Sequence, residues 1–214
     1  MNTKTTIILS ALLILTVILA GTLLWNQLPG QIASHWNEND QVDGYMGKFW
    51  GAFMVPLMMI GLTLLFLAIP AIDPLKKNIA DFRGLYNLFI VFFNGFMAYI
   101  HGLTLVWNLG YTNFRLSTMM LPAMGLLFVF MGIMLKKARR NYFIGIRTPW
   151  TLASDKVWDE THRLGSKLFI IAGMITLLGI FIPDQAFVLL MVSILAAALI
   201  SVIYSYLAWR REAN

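Results

Sequence analysis

The sequence predicts an all-α protein, a bundle of six membrane-spanning helices with both termini in the cytoplasm. Three observations predict it. Hydrophobic residues make up 59% of the 214 residues and charged residues only 12%, with a mean hydropathy of +0.73. Soluble domains run at about 45–50% apolar and about 25% charged. Six stretches are apolar over nearly the roughly 20 residues that a span requires. The 16 basic residues fall between those stretches and almost all on one side.

The first stretch is Thr5–Trp25. Its apolar run exceeds the roughly 7–15 residues of a signal-peptide core, and only Lys4 precedes it, so an uncleaved first helix is expected. Phe49–Ala71, Leu85–Asn108 and Leu116–Leu135 follow as the second to fourth spans. The fifth, Leu168–Ile182, is short, and a cytoplasmic helix is expected to lead into it. Ala186–Trp209 is the sixth. With the N-terminus inside, only Lys48 and Arg115 lie outside and fourteen basic residues lie inside. Cytoplasmic loops carry that excess, so the net charge of +6 reflects orientation rather than nucleic-acid binding. No cysteine is present, which removes disulfides, thiolate metal sites and cysteine nucleophiles. Two membrane segments are expected: residues 1–71, with two helices and an outer loop, and residues 72–214, with four helices and a cytoplasmic loop.

That cytoplasmic loop, Asn141–Gly165, is dense in groups capable of chemistry. Arg147-Thr148-Pro149 should turn, because the residue before proline avoids the helical region. Ser154 can cap a helix running on through Asp155. On that helix Trp158 and His162 share a face, and Asp159 can pair with Arg163. One reading is a pocket in which Arg147, Trp158 and His162 form a single cluster, with Arg147 holding an anionic group. The other is an interfacial cap, in which tryptophan and arginine anchor at the headgroups. Asp159-x-x-His162 has a spacing used in helical metal sites, but it lacks the second pair such sites need.

The outer loop, Asn26–Lys48, offers His35, Trp36, Asn37, Asp43, Tyr45 and Lys48 as binding residues or interface anchors. Asn39-Asp40 and Asp43-Gly44 carry turn chemistry. In the third span Asn87, Asn94, His101 and Asn108 recur every seven residues, nearly two helical turns, and so form one stripe. Such a stripe should face other helices or a wet cavity. Gly95, Gly102, Gly125, Gly132, Gly173 and Gly179 suggest close helix packing.

The run Asn141-Tyr142-Phe143-Ile144-Gly145-Ile146-Arg147-Thr148-Pro149-Trp150-Thr151-Leu152, followed by Trp158 and Thr161-His162-Arg163-Leu164-Gly165, closely resembles the signature of the SdpI/YfhL family. The outer stretch with Pro29, His35-Trp36-Asn37, Asp43, Tyr45 and Lys48 resembles the small two-helix domain often found N-terminal to it. Members commonly carry Gly where this chain has Asp40, and Pro near Val42. The resemblance implies a bacterial-type multi-pass plasma-membrane protein that gives immunity to a membrane-active peptide toxin. It also implies signalling by holding a cytoplasmic repressor at the membrane. The partners implied are membrane lipids, an extracellular peptide toxin and that repressor, with no direct nucleic acid. Two other functions fit individual residues. One is an enzyme acting on lipid at the inner face, with Arg147 on phosphate and His162 and Asp159 as acid and base. The other is a channel or transporter using the polar stripe. No nucleophile–base pair, phosphate loop or matched metal motif supports catalysis, so no catalytic residue, cofactor or metal is expected.

Overall fold

A computed structural model describes residues 1–37 and 39–213. Among these described residues, six helices are long and apolar enough to cross a membrane. These are α1 (Thr3–Leu23), α2 (Lys48–Ile72), α4 (Arg83–Asn108), α5 (Leu116–Lys137), α7 (Asp155–Leu178) and α8 (Ala186–Ala213), with two one-turn helices, α3 (Lys76–Ala80) and α6 (Pro149–Ala153), between them. At about 1.5 Å per residue, the 21 residues of α1 match a hydrocarbon core about 30 Å thick.

The helices form two groups. In one, α4 packs on α1 and α2; in the other, α7 lies between α5 and α8. Glycines set the α5–α7 contact. A Cβ on Gly125, Gly132 or Gly173 would come within 2.6–2.9 Å of a carbonyl oxygen on the facing helix. Such close approach is what small residues allow where lipid supplies no hydrophobic drive. Gly95 and Gly102 do not share this role, because the space beside them is open. α4 and α5 meet instead through rings: Phe92 stacks on Phe130 at 5.0 Å.

The fifth helix and the outer loop refine the sequence reading. The fifth helix starts at Asp155, with Ser154 accepting from the Val157 N–H as its cap, so the leading helix and the span are one continuous rod. The outer loop is largely an antiparallel hairpin, with β1 (Gln31–Trp36) paired to β2 (Val42–Gly47). Asp43-Gly44 is not a turn but part of β2. Gly44 is needed there because a Cβ would lie 2.8 Å from Cβ of His35. The register slips between Ala33 and His35, and this bulge breaks the strand alternation. Fully buried Ile32 seats the hairpin on α2, where Gly51 leaves no room for any side chain of its own.

One end of the bundle carries the hairpin. The other carries Met1, α3, α6 and the Lys136–Arg140 segment, and is called the basic end below.

Candidate functional site

At the basic end, the loop 138–154 is held by its own side chains. Asn141 is fully buried. Its amide nitrogen donates to the carbonyls of Arg139 and Ile144, and its oxygen accepts from the N–H groups of Phe143 and Ile144. Gly145 then takes φ +115°, a conformation glycine adopts without steric cost. This turns the Ile146 N–H onto His162 Nε2 at 3.0 Å. The Nδ1–H of the same ring donates to the Trp158 carbonyl at 2.9 Å. Both nitrogens are therefore occupied, and the ring is fixed as the neutral Nδ1–H tautomer. His162 lies flat on Trp158, 3.9 Å between centroids, and Trp158 donates from Nε1 to the Ala138 carbonyl at 2.9 Å. Thr148 caps α6 in a reciprocal box with Thr151, with Pro149 in the first turn, and it bonds Ser205 of α8 at 3.0 Å. Trp150 packs on Tyr206.

Trp158 and His162 thus come together, but Arg147 does not join them. The Gly145 turn presents a backbone N–H to His162, and the exposed Arg147 guanidinium folds back to the Tyr142 carbonyl at 3.0 Å. Asp159 does not pair with Arg163 either. It lies 3.9 Å from Arg139, while Arg163 points to the exterior with no ion pair among the described residues. The loop after α5 brings Arg139 and Arg140 onto the first turns of α7. There Arg140 Nε sits 2.7 Å from Asp155, an ion pair without hydrogen-bond alignment. A Cβ at position 145 would collide with His162 Nε2, so the cluster is packed shut and leaves no ligand space.

Asp73 and Asn78 were not singled out by sequence. Buried Asp73 accepts from the N–H groups of Leu75 and Tyr142, and Asn78 donates to the Arg140 carbonyl at 2.7 Å. Together they tie the short loop after α2 to the motif loop. The one available signal was an aspartate directly before proline at a helix end.

The polar stripe of α4 is a row of clamps. Asn87 donates to the Met1 carbonyl and to Thr3. Asn94 bonds Thr63 of α2 at 2.9 Å and reaches Ser10 of α1 at 3.5 Å. His101 is buried, with Nε2 unpartnered among the described residues. Asn108 accepts from the Ala33 N–H at 2.8 Å and donates to the Ala33 carbonyl at 3.0 Å. Its amide thereby serves the edge of β1 that β2 leaves unpaired.

The hairpin is tied to a second helix at its tip. Asp40 adopts φ +58°, and its carboxylate accepts from the Ser117 N–H at 2.9 Å and the Ser117 hydroxyl at 2.6 Å, in the first turn of α5. Asn37 shapes the turn by accepting from the N–H groups of Asn39 and Gln41. His35 pairs with Asp43 at 2.5 Å, and Trp36 meets Trp107 edge to face. Tyr45 is exposed, and Lys48 lies over the Trp25 ring. Between the hairpin, α4, α5 and the start of α8 lies a cavity of about 570 Å³. Its mouth holds His35, Asp40 and Asp43, and its floor is apolar.

Residues 137–205, which span the motif loop, α7 and most of α8, match the SdpI/YfhL protein family. Residues 11–60, which contain the hairpin, match a domain of unknown function, DUF1648. The chain is 27% identical over 201 residues to the immunity protein SdpI of Bacillus subtilis (strain 168), a match covering 93% of each chain. No solved structure matches it. Six helices able to span a membrane and this likeness make it a multi-pass plasma-membrane protein.

Proposed function

We propose that this chain protects the membrane that holds it against a membrane-active peptide toxin, and that it does so by binding rather than catalysis. The observation that carries this reading is the likeness to an immunity protein over 93% of both chains, hairpin and motif loop included. Packing at the basic end supports the second half. His162 has both nitrogens engaged and Arg147 points elsewhere, so an acid–base pair beside a phosphate clamp has no basis there. The motif loop instead holds α5, α7 and α8 in register.

The test is survival. Cells sensitive to membrane-active peptides, expressing the full chain, are challenged with a panel of such peptides. Survival above vector-only cells for at least one peptide is expected. No protection by a chain shown to be present in the membrane would overturn the reading.

A further inference from the structure

We infer that the cavity under the hairpin is the docking site for the apolar anchor of a cationic amphipathic peptide, an inference that rests on the immunity reading for its biological role.

Both matched regions contribute to the cavity lining, beside α4 and α5, which lie in neither. The hairpin, within residues 11–60, forms its mouth, and the start of α8, within residues 137–205, forms one wall. Neither region could build it alone. At about 570 Å³ it falls within the roughly 300–1,000 Å³ of ligand-binding clefts. Its floor includes Met120, Met124 and Met191. Unbranched thioethers repack around differing shapes, which suits a guest that is an apolar side chain or helix turn rather than a rigid ring.

Charge decides between guests. The titratable groups lining the cavity are His35, Asp40 and Asp43, and no lysine or arginine lines it among the described residues. The segments at this end carry Glu38, Asp40, Asp43 and Asp184 against Lys48 and Arg115 in the sequence. Arg115 is itself paired with Asp184 at 2.6 Å. A phospholipid would bring its phosphate to carboxylates. A cationic peptide brings ammonium or guanidinium groups to them and its apolar face to the floor. Complementary potentials of this kind govern encounter and partner choice.

The experiment uses the full chain in zwitterionic vesicles and, as probe, a fluorescent synthetic amphipathic helix of lysine and leucine. Saturable binding above empty vesicles is expected. Met124→Trp should fill the floor and weaken that binding about tenfold, the scale of a central apolar anchor. Asp43→Lys, which reverses the charge at the cavity mouth and breaks the His35 pair, should weaken it several-fold, most at low salt, with the hairpin amides still protected from hydrogen exchange. Binding no greater than to empty vesicles, or unchanged in both variants, overturns the inference. So does a phospholipid that copurifies with the wild-type chain and is lost from Met124→Trp. Survival assays separate the two readings. Full protection by both variants leaves immunity standing and removes the cavity as its site. Saturable, cavity-dependent binding without protection leaves the site and removes immunity.

Discussion

Gly145 and His162 show how much a single backbone angle controls at the basic end. Alanine at 145 would have to hold φ +115° and displace the ring that accepts from Ile146. The left-handed backbone costs about 1–2 kcal/mol, and a lost or unsatisfied buried hydrogen bond about 1–3 kcal/mol. Gly145→Ala should therefore lower the unfolding midpoint of detergent-solubilised protein by several degrees or reduce membrane yield. Gly95→Ala, with open space around it, should leave the midpoint in place. Equal behaviour of the two variants would mean the loop is not packed as described. Arg147 makes the opposite case. Its guanidinium is exposed and holds one carbonyl, so Arg147→Lys should preserve both expression and protection. Normal expression with lost protection would show that Arg147 is read by a partner, since lysine lacks the planar fork.

At the scale of elements, the hairpin is the part that depends most on borrowed hydrogen bonds. Two strands alone are marginal in water, and this pair is held by Asn108 on one side and Asp40 on the other. Asn108→Leu would strand the N–H and C=O of Ala33, at about 1–3 kcal/mol for each unsatisfied group. Hydrogen exchange at the Ala33 amide should accelerate, while amides in the middle of α7 stay protected. Unchanged exchange at Ala33 would remove the clamp from the account. The long helices were legible in the sequence because length and hydropathy suffice to mark them. The heptad asparagines were legible as a stripe for the same periodic reason. The strands were not: the bulge between Ala33 and His35 breaks alternation, and Asp43-Gly44 imitates a turn. At the basic end, Ser154 as a cap and Trp158 beside His162 follow from local spacing. The failure of Arg147 to join them follows from Gly145, whose conformation depends on a ring on a distant helix.

For the whole molecule, charge predicts the orientation. Fourteen of 16 basic residues sit at the basic end or in the segments leading to it, and cytoplasmic segments carry that excess. Reporter fusions after Lys48 and after Thr151 should read outside and inside respectively. The reverse pattern would invert the bundle. In that orientation the three methionines of the cavity floor lie toward the oxidising side of the membrane. Their side chains are partly exposed, whereas Met59 and Met134 are buried in the bundle. Oxidation converts a thioether into a polar sulfoxide, which a repair enzyme must reduce. Mild peroxide should therefore add oxygen at Met120, Met124 and Met191 before Met59 or Met134, as peptide mass spectrometry would show. An apolar floor made of sulfur can be turned polar without any change in sequence, so the redox history of the cell surface becomes a variable in how well that cavity serves.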